Sequence, residues 1–385
     1  MFNHPELLRI PGPTPIPPQV QQAMNEVMFG HRSEDAKNLL QEIRDSLPKI
    51  FGTTEEVIVL SGSGTSALEA AVVNSVSEGD EVLVVVSGAF GKRFAQICET
   101  FNLRVHYLTY EWGEAVQLDD VVKMLKKYPN IKAVFTTYCE TSTSVLHPIR
   151  EISELIQQKS DALMIVDGVS AVGAVETKMD EWNIDILISG SQKAFMLPPG
   201  LSFVALSKKA QRQIKTNKQP HFYLDVLKHK TALESSSTPY TPALSLLMGL
   251  RQVLVMFKEE GLENIYKRHL LMKDMVRSAL RALHITLLVT DDKYASPTVT
   301  AARIPNDQAD ELRSILQEQF GLIFAGGQQK LKGEIIRIGH MGYCTPAHIL
   351  QLLSLLEIGL KKIGYDITLG SGVATAQDVY ISGGW

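Results

Sequence analysis

The 385-residue chain has few residues that could form disulfide bonds or metal clusters. Its three cysteines, Cys98, Cys139 and Cys344, lie far apart in the sequence, and no Cys-x-x-Cys pair occurs. Because disulfide frameworks and metal clusters need several cysteines at characteristic spacings, the sequence predicts neither. We therefore expect no metal site in this protein.

Long apolar runs and blocks of like charge are also missing. No apolar run approaches 18 residues, and the N-terminal stretch Met-Phe-Asn-His-Pro-Glu-Leu-Leu contains no long apolar segment. The formal net charge of −4 argues against nucleic acid or an acidic membrane as a general partner. With 45% hydrophobic and 21% charged residues, the composition predicts a packed globular protein, which we expect in the cytoplasm.

Seven short runs rich in valine and isoleucine predict β-strands. Most of them are continuously apolar rather than alternating, as expected for strands that are covered on both faces. Their ranges are 57–60, 81–86, 104–108, 132–136, 162–166, 185–188 and 202–206.

Amphipathic segments between these runs predict helices at 65–77, 90–101, 118–128 and 148–159. Alternation of strands and helices is typical of an α/β fold, here with a mainly parallel seven-stranded sheet in a large domain. In such sheets ligands bind at the carboxyl ends of the strands. Chemically useful side chains that directly follow a strand are therefore candidates for a site.

After about residue 242 the pattern changes to that of a smaller α+β unit. A long helical stretch at 242–283, which Gly261 could interrupt, precedes two predicted strand–helix pairs at 297–304 with 307–319 and 334–338 with 346–363. We divide the chain into an N-terminal arm (1–15), a large domain (16–260) and a small C-terminal domain (261–385). The last twenty residues are rich in glycine and serine, which leaves an ordered flap and a loose tail both open.

The segment VLSGSGTSALEAAV (59–72) predicts an anion site. A strand ends at Leu60, a loop of small residues follows, and a helix opens near Thr65. The free amides at a helix N-terminus attract a phosphate, and the hydroxyls of Ser63 and Thr65 could add donors. The alternative is a helix capped by serine or threonine after a turn. Neither the P-loop nor the Gly-x-Gly-x-x-Gly pattern is present.

An acid and a lysine follow two further strands. Asp167 ends an apolar run in MIVDGVSAVG, and Lys193 follows another in SGSQKAFMLPPG. Taken singly, Asp167 could bond turn amides and Lys193 could be a surface residue at a strand tip. The two lie 26 residues apart, which is one crossover unit, so both should reach the same rim as the anion site. A phosphate cradle, an acid for a ring nitrogen and a lysine amine are what pyridoxal phosphate requires.

Several motifs together resemble a known family. The chain resembles the class V aminotransferases of pyridoxal-phosphate fold type I, and within them the alanine–glyoxylate and serine–glyoxylate (serine–pyruvate) group. The resemblance covers nearly the whole chain, from IPGPTPIPP to IRIGHMG. Its other motifs are GHRS (30–33), SGSGTSALEAA (61–71), GAFGKR (88–93), ETSTSVLHPI (140–149), VDGVSAVG (166–173) and SGSQK (189–193).

The resemblance implies roles for individual residues. Lys193 carries pyridoxal 5'-phosphate covalently and is the catalytic base, and Asp167 keeps the ring nitrogen protonated. Arg337, after GEII, grips the substrate α-carboxylate, with Gly12 nearby. The remaining cofactor-binding residues are Ser63, Gly64, Thr65 and Gln192 at the phosphate, Phe90 stacked on the ring, Thr141 near the phenolic oxygen, and Val169.

The same resemblance implies a homodimer with shared active sites, because Thr241 in TPYTPALS would reach the phosphate in the neighbouring subunit. One position departs from the family pattern. The usual ETSTG reads ETSTS here, so Ser144 stands where glycine is common, and this puts the local geometry near Thr141 in doubt.

The implied activity is transfer of an amino group from a small amino acid, alanine or serine, to a 2-oxo acid such as glyoxylate or pyruvate by a ping-pong mechanism. Another donor, such as aspartate, phosphoserine or ureidoglycine, remains open. A lyase of the cysteine-desulfurase type is a further alternative, although Gln192 replaces the histidine that usually precedes the lysine there. A redox-complex subunit would need clustered cysteines, and a catalytically silent protein would not need Lys193, Asp167 and Arg337.

Overall fold

The computed structural model describes residues 6–383. Within this range the strands, in chain order, are β1 (Leu7–Leu8), β2 (Val57–Gly62), β3 (Glu81–Val86), β4 (Arg104–Thr109), β5 (Ala133–Thr137), β6 (Cys139–Glu140), β7 (Val145–Leu146), β8 (Leu163–Asp167), β9 (Ile186–Gly190), β10 (Gly200–Leu206), β11 (Thr286–Leu287), β12 (Val299–Arg303), β13 (Leu322–Ile323), β14 (Ala325–Gly326) and β15 (Ile335–Gly339).

The helices in the same range are α1 (Pro18–Met24), α2 (Glu34–Phe51), α3 (Gly64–Ser75), α4 (Ala89–Thr100), α5 (Leu118–Lys127), α6 (Ile149–Lys159), α7 (Lys208–Ile214), α8 (Val226–Glu234), α9 (Leu244–Glu260), α10 (Leu262–Ala282), α11 (Ala309–Phe320), α12 (Pro346–Lys362) and α13 (Ser371–Ser382). None of these helices is long and apolar enough to cross a membrane.

The main sheet has seven strands in the order β2-β10-β9-β8-β5-β3-β4. Only β10 runs antiparallel to its neighbours β2 and β9, and the other pairs are parallel. The carboxyl ends of the other six strands therefore lie on one edge. This confirms the predicted α/β class and the mainly parallel seven-stranded sheet.

The strands alternate between two hydrophobic cores, one on each face of the sheet. In β3, Leu83 and Val85 pack into one core, whereas Val82 and Val84 pack into the other. Both faces are thus covered by helices, which explains why the strands are continuously apolar in sequence. Burying a valine or leucine fully contributes about 1.5–3 kcal/mol each, so this double burial anchors the strand ends rigidly.

A second, separate core lies in the C-terminal part of the chain. A four-stranded antiparallel sheet of order β11-β12-β15-β14 packs against α10, α11 and α12. Helices α9 and α10 are separated by Gly261, whose φ of +80° is left-handed, so the break predicted there is confirmed. The separate core supports the division into domains near residue 260, which remains a prediction.

Residues that precede the large domain form an arm that contacts both the C-terminal unit and the unit of the main sheet. β1 pairs in parallel with β13, and the amide of Gly339 donates to the carbonyl of Arg9 at 2.7 Å. Further along, the amide of Thr14 donates to the carbonyl of Gln192 at 3.1 Å. The arm therefore links the sheet that carries Arg337 with the loop that carries Lys193.

Sequence patterns located most regular elements to within two or three residues and missed several helices. The missed ones are α1, α2, α7, α8 and α13. Helix α2 has clear boundary signals, because the Ser33 hydroxyl accepts from the amide of Ala36 at its start and Gly52 ends it at φ +62°. For the C-terminal segment, the sequence leaves an ordered flap and a loose tail both open. Helix α13 lies in this segment, so the segment contains an ordered element.

Candidate active site

Three predicted site residues lie at one edge of the main sheet. Asp167 ends β8 and pairs with Ile188 of β9, and Lys193 follows β9 by three residues. Ser63 directly follows β2, which is joined to β9 through β10. Because these strands end at the same edge, the loops after them surround one space.

Lys193 is buried with only 8% of its surface exposed. Its Nζ donates to the carbonyl of Pro11 in the N-terminal arm at 2.7 Å. Burial lowers the pKa of Lys193 to about 8, and the positive charge of Arg337 acts in the same direction. About a tenth of an amine with this pKa is neutral at pH 7, far more than for an ordinary lysine, and a nucleophile or proton acceptor must be neutral.

Asp167 is buried on the same rim, and its Oδ1 accepts from the amide of Val169 at 2.9 Å. Burial, together with the nearby Glu140 carboxylate, raises the pKa of the Asp167 carboxyl to about 6. No hydrogen bond to Oδ2 occurs among residues 6–383. A carboxylate in this setting is stabilised by a cation that approaches it.

The loop after β2 forms the start of α3. Ser63 is the N-cap residue, but its hydroxyl makes no capping hydrogen bond. In the part of the chain that is described, the amides of Gly64 and Thr65 have no backbone acceptor. A side chain at position 64 would place its Cβ 3.2 Å from the Val169 side chain. Open amides and an uncommitted hydroxyl at a helix N-terminus suit a phosphate.

Gln192 lies next to this loop and supplies an unsatisfied polar atom. Its Oε1 is buried and has no hydrogen-bond partner within residues 6–383. The atom lies 3.0 Å from where a Cβ on Gly190 would be, and Gly190 is in turn close to Gly64. Since a buried polar atom without a partner costs about 1–3 kcal/mol, its position beside the open helix end points to a bound polar group.

Phe90 lies in the first turn of α4, beside the same edge of the sheet. The Arg93 guanidinium lies over its ring, 4.9 Å from the centroid. The amide of Phe90 donates to Glu140 at 3.1 Å, and the amide of Gly91 donates to the same carboxylate at 2.9 Å. The ring is therefore held through its backbone and by a cation on one face.

Glu140, the first residue of the ETSTSVLHPI motif, also lies at this site. It is fully buried, and it also accepts from the amide of Ser142 at 3.1 Å and from the hydroxyl of Ser142 at 2.5 Å. Burial raises the pKa of the Glu140 carboxyl, although its several donors oppose this. Glu140 thus joins the segment of Phe90 to the loop of Thr141.

Thr141 and Ser144 lie in the turn between β6 and β7. The hydroxyl of Thr141 shares a hydrogen bond of 2.5 Å with that of Ser170, three residues beyond Asp167. Ser144 has a left-handed φ of +67°, and its buried hydroxyl has no hydrogen-bond partner within the described range. The departure from glycine at position 144 therefore falls where the backbone favours glycine, yet the turn still brings Thr141 against Ser170.

Arg337 extends from β15 toward the same turn. Its Nε donates to the carbonyl of Gly326 at 2.9 Å, and its Nη1 donates to the carbonyl of Thr141 at 3.1 Å. Burial lowers the pKa of the guanidinium to about 10. No acidic side chain pairs with it among residues 6–383. Two fixed donors hold the guanidinium in place, and its Nη2 is left available for a carboxylate.

Gly12 belongs to the same group of residues, whereas Thr241 stands apart. A Cβ at position 12, where φ is +141°, would lie 2.9 Å from the Nζ of Lys193, so only glycine leaves that amine its space. Thr241 is exposed and makes no side-chain hydrogen bond to the residues described above. Its reach into a neighbouring subunit remains a prediction.

These features fit pyridoxal phosphate. The open end of α3 and the side-chain amide of Gln192, whose NH2 group can donate, fit its phosphate. The Asp167 carboxylate fits its ring nitrogen, and the buried amine of Lys193, with its lowered pKa, fits its aldehyde. No group of three or more histidine, cysteine, aspartate or glutamate residues that could hold a metal ion occurs within 6–383.

All three cysteines are buried and form no disulfide bond. Cys344 is 1% exposed between β15 and α12, and burial raises its pKa. A desulfurase nucleophile must be a reachable thiolate, and burial disfavours that form. The geometry of Cys344 therefore does not support the lyase alternative.

Comparison with known proteins agrees with these features. The family model described as "Aminotransferase class-V" matches residues 7–348. The chain is 35% identical over 383 residues to a serine–glyoxylate aminotransferase of Hyphomicrobium methylovorum, covering 97% of this chain and 94% of the relative. The crystal structure of an alanine–glyoxylate aminotransferase from Nostoc sp. superposes with a TM-score of 0.88 at 29% identity, covering 94% and 96% of the two chains.

The chain belongs to the class V aminotransferase family. Its fold is that of the type I pyridoxal-phosphate-dependent transferases, and its enzyme class is that of a transaminase. The resemblance found in the sequence motifs is thereby confirmed.

A further relative carries a different kind of name. The chain is 38% identical over 377 residues to a protein of Anabaena cylindrica described as the 42 kDa subunit of a soluble hydrogenase, covering 97% and 98% of the two chains. That name describes the Anabaena protein. In this chain the charges of Arg337 and Asp167 both act on the amine of Lys193, so the three groups lie close together.

Proposed function

We propose that this protein is a pyridoxal-phosphate-dependent aminotransferase that uses a small amino acid, alanine or serine, as donor and a 2-oxo acid such as glyoxylate or pyruvate as acceptor. The proposal rests chiefly on Lys193, whose buried amine has a pKa of about 8 and faces a glycine that leaves it room. Serine–glyoxylate and alanine–glyoxylate aminotransferases among its relatives support the choice of substrates.

Pyridoxal phosphate, when bound, supplies an aldehyde that takes up the amino group and a pyridine ring that accepts electrons from the substrate Cα. Ser63, Gly64, Thr65 and Gln192 would hold its phosphate. Asp167 would keep the ring nitrogen protonated, because a buried carboxylate gains most from a cationic partner. Val169, Phe90 and Thr141 would fix the ring's position.

The chain's own residues supply the remaining steps. The Lys193 amine would accept the proton from the substrate Cα in one half-reaction and return a proton to Cα in the other, since a pKa near the working pH suits both directions. Arg337 would bind the α-carboxylate through its Nη2 and orient Cα toward Lys193, with Gly12 next to the amine. One substrate leaves before the other binds, which predicts ping-pong kinetics.

The quaternary structure and the location belong to the same proposal. We propose a homodimer in which Thr241 of each subunit contributes to the phosphate site of the other, consistent with its exposure in a single chain. The absence of a helix that could cross a membrane among residues 6–383 supports the expected cytoplasmic location. The arm, large and small domains are proposed with the boundaries given above.

A half-reaction assay tests the function. The purified protein loaded with pyridoxal phosphate is mixed with single amino acids, and the visible cofactor band is followed as it converts to the absorbance of pyridoxamine phosphate. We expect alanine or serine to cause the conversion, and glyoxylate or pyruvate to reverse it. If no amino acid changes the spectrum, the proposal is wrong; release of sulfide from cysteine would favour the lyase instead.

A further inference from the structure

A groove of about 580 Å³ lies beside Arg337, at the outer edge of the small sheet. Strand β14 forms this edge, and the loop after it and one face of α11 complete the walls. The lining includes Arg337, Arg313, Lys332, Gln328 and Asp310. Three of these five side chains are cationic and only Asp310 is acidic.

Two guanidinium groups are fixed around Gly326. The carbonyl of Gly326 accepts from the Nε of Arg337 at 2.9 Å, and a Cβ at position 326 would lie 2.7 Å from the Nη1 of Arg313. The Nε of Arg313 donates to the carbonyl of Phe324 at 2.9 Å, so the second guanidinium is held by backbone as well. The positive charge of Arg313 contributes to the lowered pKa of Arg337, after the larger effect of burial.

The positive charge of the groove is only partly balanced. Asp310 pairs with the Nη1 of Arg313 at 2.8 Å, but 58% of the Asp310 side chain is exposed, so this pair is weak. Neither Lys332 nor Arg337 forms a salt bridge within residues 6–383. Two like guanidinium groups held near each other repel, and an anion placed between them relieves that repulsion.

A substrate with a single carboxylate leaves some of these cationic groups without an anionic partner. In the proposed function Arg337 binds the α-carboxylate of every substrate, and alanine or serine carries nothing that would engage Arg313 or Lys332. A substrate with a second carboxylate can bind both cationic positions, because guanidinium groups match carboxylates in shape and charge.

We propose that the groove of Arg313 and Lys332 binds the second carboxylate of a dicarboxylic substrate, an acidic amino acid or the corresponding 2-oxo dicarboxylate. This inference rests on the proposed function and deepens it, since the same active site would then also accept a dicarboxylic donor or acceptor beside the small monocarboxylates. Arg313 and Lys332 are in this view specificity-determining residues rather than catalytic ones.

Binding of two unreactive acids tests the inference. Succinate and butyrate have equal chain lengths and differ by one carboxylate, and neither has an amino group to transfer. Isothermal titration of the cofactor-loaded enzyme should show succinate binding roughly fivefold more tightly or better. Equal affinities for the two acids would overturn the inference.

Three substitutions assign the preference to the groove. In Arg313→Gln and in Lys332→Gln, the succinate-to-butyrate preference should fall to within about twofold. Lys332→Gln keeps the test valid if Arg313→Gln disturbs the fold, because the Lys332 side chain is exposed and pairs with no acid within 6–383. Lys330→Gln is the matched control, since Lys330 lies on the same loop but pairs with Glu111 outside the groove. An unchanged preference in Lys332→Gln contradicts the inference.

Failure of the inference is distinguishable from failure of the proposed function. If alanine or serine converts the cofactor band while succinate shows no preference, the transaminase stands and the groove is not a carboxylate subsite. If aspartate is also a donor, its kcat/KM should fall in Lys332→Gln while that of alanine does not. A fall of equal size for both donors would mean a general effect on the site and would overturn the assignment.

Discussion

At the scale of single residues, the site is built from groups that are unfavourable in isolation. Lys193 and Asp167 are both buried, and each has its pKa shifted toward the neutral form. Burial of this kind destabilises the cofactor-free fold and becomes favourable only when a partner compensates the charge. The destabilisation should therefore be measurable in the absence of cofactor.

Asp167→Asn should stabilise the cofactor-free protein at alkaline pH. The folded-state pKa of Asp167 is about 6, above the usual value. The free-energy cost of burying the ionised form is therefore absent below about pH 4, grows between about pH 4 and pH 6, and is complete above that. Urea unfolding should show a gain of up to about 3 kcal/mol at pH 8 that disappears as the pH falls toward 4. Asparagine retains the oxygen that accepts from Val169.

Asp378→Asn, on the exposed side of α13, is the control for this experiment and should show no such pH-dependent gain. An equal gain for Asp167→Asn at both pH values would contradict the electrostatic explanation. With cofactor bound, the same substitution should weaken cofactor retention, because the ring nitrogen loses its charged partner.

Ser144→Gly should stabilise the fold by about 1 kcal/mol. Serine at φ +67° is strained and buries a hydroxyl without a partner in the described chain, and these costs exceed the extra entropy of glycine in the unfolded state. Ser144→Ala removes the hydroxyl but keeps the Cβ, so the difference between the two variants measures the backbone strain minus the extra entropy of glycine in the unfolded state. Urea unfolding that ranks alanine above glycine would refute this explanation.

Sequence reasoning placed Lys193 and Asp167 together at strand ends, because parallel strands bring their carboxyl ends to one edge. It assigned no role to Glu140, whose partners are the amides of Phe90, Gly91 and Ser142. A carboxylate that binds backbone amides requires no particular side-chain types around it, so the sequence gives no sign of these contacts. Only the three-dimensional structure shows that this carboxylate ties two loops together.

At the scale of elements, the least expected feature is the C-terminal helix α13. Gly372 and Ala376 face the core, and a Cβ at position 372 would lie 2.9 Å from Leu283. The buried carboxylate of Glu357 accepts from the amide of Val373 at 3.0 Å and also from that of Gly370. The sequence did not reveal this helix because glycine and alanine are what close helix packing requires, yet they give no apolar stripe.

Two matched substitutions on α13 test its docking. Ala376 is fully buried and Ala374 is exposed. Ala376→Asp should destabilise the protein by about 3 kcal/mol or more, because it buries an unpaired charge, whereas Ala374→Asp should cost no more than about 1 kcal/mol. Equal losses in urea unfolding for the two variants would mean that α13 does not pack against the core.

At the scale of the whole molecule, the site belongs to several units at once. The arm supplies Pro11 and Gly12, the main sheet supplies Asp167 and Lys193, and the small sheet supplies Arg337. The proposed dimer would add Thr241 from the neighbour. A single sequence indicates the alternation of strands and helices, but contacts between distant segments, such as that of Lys193 with Pro11, follow from tertiary packing alone.

Mixing two impaired variants tests whether the active site is shared between subunits. If Thr241 acts on the neighbouring subunit, Lys193→Ala and Thr241→Ala each impair the enzyme, but their mixed dimer contains one intact site. Denaturing and refolding the two together should restore up to about a quarter of the activity, since half of the dimers are mixed. Light scattering should give twice the chain mass of 42.6 kDa. Failure to complement would place Thr241 outside the partner's site.

The most direct test of the whole account is where pyridoxal phosphate attaches and at which pH. Cofactor-depleted protein is incubated with pyridoxal phosphate over a pH series, reduced with borohydride, and mapped by peptide mass spectrometry. The adduct should appear on Lys193 with a midpoint near pH 8, well below the pKa of an ordinary lysine. An adduct spread over other lysines, or equal labelling of Lys193→Ala, would contradict it.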